Sequence, residues 1–246
     1  MSLVLFAPVS THRPEVGIML LMASQLVASV GDAFVLRCNG FLSACDRDFE
    51  VSTEAPRAID QCLRCMREQR DFATVLSLPM VELGSFVEPE DLEQVKLEQI
   101  NGRARSRVDD AGYISPIPAN LLSERVRTLR SESGILLERA TRKLFNEARP
   151  KMFFVAGEPE FVPVIAAGVA NEAGARVVVF AWDAPQSLVV IRVIGTDIVI
   201  NCPFVVEDLS RVKVDPRSWP KELVGIFEQL KRALDSEEQR EQAQGA

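Results

Sequence analysis

Cysteine is the residue type with the clearest chemical pattern in this chain. Four of the five cysteines occur within one short segment, spaced Cys38-x6-Cys45-x16-Cys62-x2-Cys65. Two cysteines separated by two residues at the start of a helix can direct both sulfurs toward one point, and a tetrahedral Zn²⁺ takes four thiolates at about 2.3 Å. The pattern therefore predicts a zinc site made of Cys38, Cys45, Cys62 and Cys65.

The predicted zinc site is structural, because an ion bound by four thiolates has no open position for water. The metal would hold together a segment that is rich in Asp, Glu and Arg and poor in apolar side chains. Nearby arginines would offset the negative charge of the thiolates, namely Arg37, Arg47, Arg64 and Arg67. Two alternatives stay open: an iron–sulfur cluster, and free thiols that are redox-active or are small buried side chains. Cys202 stands alone on an apolar segment and is predicted to be a core residue.

The chain on either side of the cysteines alternates between short apolar strands and helices. The segment Ser2–Pro8 predicts a buried strand, Glu15–Val30 a helix and Ala33–Cys38 a second strand. A strand, a helix and a strand in so short a span form a βαβ unit, and its handedness makes the two strands parallel.

The middle of the chain is predicted to be mainly helical. The Cys-rich insertion 38–65 ends on a helix that begins near Ala58. Downstream we expect a short strand over Thr74–Val81, a helix over Pro89–Ile100, a polar loop over Gly102–Asn120 and a helical segment over 118–148.

A second βαβ-like unit follows. Its predicted parts are a strand over Lys151–Gly157, a helix over Pro159–Ala173 closed by Gly174, and a strand over Arg176–Trp182. We then expect one long or two short strands up to Pro203, a C-terminal helix over about 220–234, and a frayed tail over 235–246. This alternation predicts a single α/β domain over residues 1–246, with an open, largely parallel sheet flanked by helices.

Composition and charge argue against several classes of protein. The chain has 246 residues, with a hydrophobic fraction of 47% and a charged fraction of 26%, as in soluble globular proteins. Its net charge of -7, without a basic stripe, argues against a nucleic-acid partner. The apolar run Val16–Val30 is too short and too often interrupted to span a membrane. The first residues lack the features of a signal peptide, so we expect a cytoplasmic protein with reduced thiols.

The cysteine motif, VLRCNGFLSACDRD followed by CLRCMRE, resembles the N-terminal region of glycosyltransferases of surface and capsule polysaccharide biosynthesis. In that family a strand ends in Cys-x-Gly, a second cysteine follows within a few residues, and a Cys-x-x-Cys pair comes next. The strand MFFVAG, the small-residue helix IAAGVANEAGA and the strand RVVVFAW are similar in order to the acceptor-side half of a GT-B glycosyltransferase. The resemblance implies a Rossmann-like domain that handles a nucleotide sugar.

The chain also departs from a complete GT-B enzyme. The residues after Trp182 are too few for a second Rossmann domain, and the sequence lacks a recognisable glycine-rich loop and paired acidic residues of a donor site. It therefore corresponds either to a lone N-terminal-type domain or to a shortened relative without a donor site. It also has none of the motifs G-x-G-x-x-G, G-x-x-x-x-G-K-[ST], H-E-x-x-H and G-x-S-x-G.

The candidate site residues follow three predicted strands, because ligands of open α/β sheets gather beyond the carboxyl ends of the strands. The resemblance implies that His12, the only histidine, deprotonates the acceptor hydroxyl, and Asp183 would orient it if the two strand ends are neighbours. Substrate contacts are predicted for Arg13 with a phosphate or an acidic sugar, for Glu158 with a sugar hydroxyl, and for Trp182 with a sugar ring. The structural alternatives are a solvated loop for His12 and Arg13, a helix cap for Glu158 and core packing for Trp182.

Two functional hypotheses follow. The first is a glycosyltransferase-like protein that transfers or binds sugars from a nucleotide-sugar donor, with a glycan or a lipid-linked molecule as acceptor. The second is a non-catalytic, zinc-stabilised binding or assembly module with the same fold. Its partner, another protein or a second copy of the chain, would contact the zinc knuckle and the helical residues 121–148.

Overall fold

The computed structural model of the chain describes residues 2–7, 13–28, 30–42, 59–100, 124–157, 161–203 and 219–244. The strands within these ranges are β1 (Ser2–Phe6), β2 (Asp32–Arg37), β3 (Met80–Glu82), β4 (Met152–Ala156), β5 (Arg176–Asp183), β6 (Leu188–Val193) and β7 (Val199–Cys202). The α-helices are α1 (Pro14–Val27), α2 (Ile59–Leu76), α3 (Pro89–Ile100), α4 (Glu124–Ala148), α5 (Phe161–Glu172) and α6 (Lys221–Gln244), and a 3₁₀ turn covers Leu83–Phe86.

The seven strands form one mixed sheet in the order β3-β2-β1-β4-β5-β6-β7. The first five strands of this order are parallel to their neighbours, and β6 and β7 are added in antiparallel fashion. The prediction of an open, largely parallel α/β sheet is therefore confirmed, and the order 3-2-1-4-5 is that of a Rossmann-like fold. The apolar segment after Ser187 forms two strands rather than one.

Helices cover both faces of the sheet. On one face α1, α2 and α6 contribute to a buried cluster with residues such as Met19, Phe72 and Leu230. On the other face α4 and α5 bury residues such as Leu144 and Ala166. This division follows from right-handed crossovers, because connections that run from β1 toward β3 and connections that run from β4 toward β5 must lie on opposite faces.

The helix α2 corrects one predicted strand. The segment Thr74–Val81 was expected to be extended, but α2 continues to Leu76 and only Met80–Glu82 is a strand. The helix continues because Phe72 and Ala73 are buried against the sheet, and the Thr74 hydroxyl donates a hydrogen bond to the carbonyl of Arg70 within the helix. The chain turns at Ser77, which has a φ of 56°.

The C-terminal helix is longer than predicted. It was expected to end near Leu234 before a frayed tail, yet α6 runs to Gln244, so the described part of that tail is helical. The Arg176 guanidinium donates a hydrogen bond to the carbonyl of Leu234. Beyond this point the sequence DSEEQREQAQ consists mostly of residues with good helix propensity, which favours continuation of the helix. None of the helices within the described ranges combines the length and apolar character that a membrane crossing needs.

Asp91 connects α3 to α4 and is expected to make stability depend on pH. Its carboxylate accepts hydrogen bonds from Lys143 Nζ at 2.8 Å and from the backbone N–H of Glu88 at 3.0 Å, and the bond from Lys143 holds the pKa of Asp91 below its usual range. Because the pKa is depressed in the folded state, the stabilisation is complete at neutral pH and is lost as the pH falls through the folded-state value. Asp91→Ala should therefore cost about 1–2 kcal/mol of unfolding free energy near neutrality, and less in acid.

Urea unfolding of the wild type and the variant at neutral and acidic pH measures this difference. Glu93→Ala is the matched control, since Glu93 lies on the same helix and is exposed; it should change little at either pH. A cost of Asp91→Ala that grows as the pH falls would contradict the expectation.

Candidate functional site

The strand order reverses between β1 and β4, and a ligand-binding crevice is expected at their carboxyl ends. From β1 the chain leads to α1 on one face, and from β4 it leads to α5 on the other, so the two connections diverge at this point. Gly157 follows β4 directly with a φ of 129°, a backbone conformation that glycine adopts readily. Open α/β sheets bind ligands at such a reversal.

Arg13 and Glu15 lie at the beginning of α1, next to the carboxyl ends of these strands. Arg13 is the N-cap residue of α1, Pro14 occupies the first helical turn, and proline is favoured there because its missing N–H needs no partner. Glu15 is almost fully buried, and Arg13 Nη1 lies 3.9 Å from its Oε1. The predicted site residue Arg13 is thus at the carboxyl edge, partly exposed, beside a buried carboxylate.

Asp183 and Trp182 lie at the end of β5, where the chain turns back into β6. Asp183 pairs with Leu188 across the hairpin, and its Oδ1 accepts a hydrogen bond from the backbone N–H of Gln186 at 3.2 Å. Trp182 is half-buried and packs against the core cluster on the α1 face. Both side chains therefore make structural contacts near this turn.

The orienting role predicted for Asp183 depended on β1 and β5 being neighbouring strands. The structure places β4 between them, which separates the two strands by about 10 Å at the spacing of a β-sheet. In addition, β4 ends opposite Phe180, so Asp183 extends past the end of the intervening strand. Strand pairing therefore does not bring Asp183 into contact with the end of β1.

Three predicted site residues lie outside the described residues. They are His12, Glu158 and Cys45. Their roles as base, sugar ligand and metal ligand stay predictions.

Cys38 and Cys62 are brought near each other by β2 and α2. Burial raises the pKa of the Cys38 thiol, and the neighbouring Cys62 raises it further, while hydrogen bonds from the backbone of Gly40, Leu42 and Phe41 act in the opposite direction. Backbone donors of this kind favour the thiolate, which is the form that binds zinc. The net direction is nevertheless upward, which favours the neutral thiol of Cys38.

The complete metal site is not formed by the described residues. Cys38, Cys62 and Cys65 are all within the described ranges, yet no three His, Cys, Asp or Glu side chains in those ranges come together as a metal-binding group. No disulfide joins any two of the four described cysteines, of which Cys202 is buried in the core as predicted. A zinc ion held by four thiolates therefore remains a prediction that also requires Cys45.

A second feature of the carboxyl edge was not predicted as a site. At the end of β2, Arg37 pairs in register with Glu82 of β3, and Glu82 accepts hydrogen bonds from Arg37 Nη2 and, at 2.5 Å, from Asn39 Nδ2. A cleft of about 410 Å³ adjoins this pair, lined by Arg37, Asn39, Leu63, Met66, Arg67 and Arg70. The sequence signal for this cleft is the cluster of arginines near the cysteines, which by itself predicted only that these arginines balance the charge of zinc thiolates.

Comparison with known proteins finds no protein family whose model matches the chain and no matching curated protein. The resemblance seen in the cysteine motif therefore stays a prediction. The fold and the geometry of its carboxyl edge are the observations from which a function can be proposed.

Proposed function

We propose that the chain is a glycosyltransferase-like protein of surface polysaccharide biosynthesis that handles sugar substrates, with a nucleotide sugar as donor, at the carboxyl edge of its sheet. The observation that carries the proposal is the reversal of strand order between β1 and β4, since open α/β sheets hold ligands at this point. The cysteine motif and its family resemblance supply the substrate class. The cytoplasmic location expected from the sequence belongs to the same proposal.

The residues at the start of α1 support binding of an anionic substrate. Arg13 is partly exposed at the crevice, and the N-terminus of α1 carries the positive end of a helix dipole. His12 precedes Arg13 in the chain and remains the proposed base for the acceptor hydroxyl. Asp183, which lies one strand further away, is assigned to the β5–β6 turn and not to the orientation of His12.

Nucleotide-sugar binding tests the proposal. Saturating UDP-, GDP- or CMP-sugar should stabilise the folded chain by about 2.7 kcal/mol at 100 times the dissociation constant, which raises the melting temperature by about 5–10 °C for a chain of this size. Arg13→Ala should reduce this rise. Lys151→Ala is the control, because Lys151 is exposed and precedes β4 at the opposite edge of the sheet.

The outcome distinguishes the two functional hypotheses. If no nucleotide sugar changes the melting temperature of the wild type, the donor-binding proposal is lost. If binding occurs but Arg13→Ala and Lys151→Ala behave alike, the crevice at β1 and β4 is not the site.

The second candidate is a zinc-stabilised binding or assembly module, and the proximity of Cys38 and Cys62 favours it. The apolar face of α4 is used within the chain, because Leu137, Ala140 and Leu144 are buried in the core. A partner, whether another protein or a second copy, would therefore meet mainly the charged residues of α4. In the same melting experiment, this candidate predicts no response to nucleotide sugars and a lower melting temperature after treatment with a zinc chelator.

A further inference from the structure

The cleft beside Arg37 combines three cationic side chains with an apolar wall. Its cationic members are Arg37 at the end of β2 and Arg67 and Arg70 on α2, and none of the described residues that line it is acidic. Leu63 and Met66 form the apolar part, and Leu63 is 47% exposed. Because residues 63, 66, 67 and 70 follow helical spacing, they form one side of α2, and Phe72 and Ala73 of the same helix pack into the core.

Arg37 is the buried member of this group. Only 9% of the residue is exposed, its Nη2 donates to Glu82, and its Nε is buried without a hydrogen-bond partner among the described residues. A buried guanidinium nitrogen without an acceptor is costly. Arg37 also lines the cleft, so an anion there would lie beside a buried guanidinium whose charge is only partly compensated.

Arg67 and Arg70 add positive charge for which the described part of the chain shows no ion-pair partner. Within the described ranges, no ion pair involves either guanidinium, whereas Arg64 on the same helix pairs with Glu68 at 3.1 Å. Glu82 balances one of the three charges that line the cleft, so the described residues around it carry a net charge of about +2 at neutral pH. The forked geometry of arginine matches the oxygens of phosphate groups.

We propose that this cleft binds the phosphate or diphosphate group of a small organic molecule. The phosphate oxygens contact Arg67, Arg70 and the inner Arg37, and the organic part lies against Leu63 and Met66. A volume of about 410 Å³ exceeds the space that one phosphate fills, which leaves room for the organic part. The proposal does not require sugar transfer at the crevice between β1 and β4.

Titration of the full-length chain with pyrophosphate tests the proposal by calorimetry. We expect saturable binding that weakens as salt is added. The double variant Arg67→Gln/Arg70→Gln should bind at least about tenfold more weakly, since each charge-assisted hydrogen bond contributes more than a neutral one. Arg64→Gln is the matched control, because Arg64 lies on the same helix, has a side chain that is 71% exposed and does not line the cleft. The affinity of this variant for pyrophosphate should stay within about twofold of the wild-type value.

Three results would overturn the proposal: no saturable binding of pyrophosphate, equal affinity of the wild type and the double variant, or an equal loss in the Arg64→Gln control. Circular dichroism of each variant confirms that a loss of affinity is not a loss of fold. The test is independent of the proposed function. If pyrophosphate binds but no nucleotide sugar changes the melting temperature, the proposal for the cleft stands and the proposed donor site at β1 and β4 is lost.

Discussion

Replacing Phe153 by alanine is expected to lower the free energy of unfolding by about 3–5 kcal/mol. Phe153 is in the middle of β4, is fully buried, and makes edge-to-face contacts with Phe145 at 5.4 Å and Phe6 at 6.1 Å between ring centroids. The substitution removes the ring contacts of β4 with two other elements, β1 and α4, and leaves a cavity in a close-packed core. Such a loss lowers the melting temperature by about 2–4 °C for each kcal/mol in a chain of this length.

Chemical and thermal unfolding measure the effect, and Leu97→Ala is the control. Leu97 is also a large apolar residue, but it is 58% exposed on α3, so its truncation should cost at most about 0.5 kcal/mol. Equal effects of the two substitutions would contradict the arrangement of β4 at the centre of the sheet.

Replacing Glu82 by alanine is expected to cost about 2 kcal/mol, because it leaves the charge of Arg37 buried without its partner. The side chain of Arg37 is only 10% exposed and that of Glu82 is 39% exposed, so water compensates only part of the loss. The double substitution Arg37→Met/Glu82→Ala should recover part of the stability, because it removes the buried charge together with its partner.

A surface ion pair provides the comparison for Glu82. Glu172 pairs with Arg142 at 3.1 Å, with both side chains more than two-fifths exposed, and Glu172→Ala should cost at most about 1 kcal/mol. Phosphate should stabilise Glu82→Ala more than the wild type, since an anion in the adjoining cleft takes the place of the lost carboxylate. A larger effect of Glu172→Ala than of Glu82→Ala would show that Arg37 does not depend on Glu82.

Local patterns in the sequence were sufficient to predict most helices and strands. Ser2–Phe6, Asp32–Arg37 and Met152–Ala156 are short apolar runs, and a buried parallel strand needs such a run whatever its neighbours are. The two incorrect boundaries, at α2 and α6, occur where the apolar signal is weak. At Thr74–Leu76 the burial of the preceding Phe72 favours a helix. After Leu234, helix propensity and the hydrogen bond from Arg176 favour a helix over the frayed tail that was predicted.

The candidate site could be predicted only in part. Trp182 and Asp183 lie at the end of β5, and Arg13 lies directly before α1 in the connection that follows β1. Which strand ends are neighbours was decided by the sheet order, which inserts β4 between β1 and β5 and so separates Asp183 from the end of β1. Sequence spacing carries no information about this order, because strands pair over long distances along the chain.

By itself the sequence determined the alternation of apolar strands and amphipathic helices, and with it an α/β sheet that is largely parallel. The arginine cleft was decided by the tertiary structure alone. It exists because the register of β2 on β3 sets Arg37 opposite Glu82, and because α2 brings Arg67 and Arg70 back over the end of β2. Arg37 and Arg67 are thirty positions apart along the chain, and they can contact one ligand only because packing brings their side chains together.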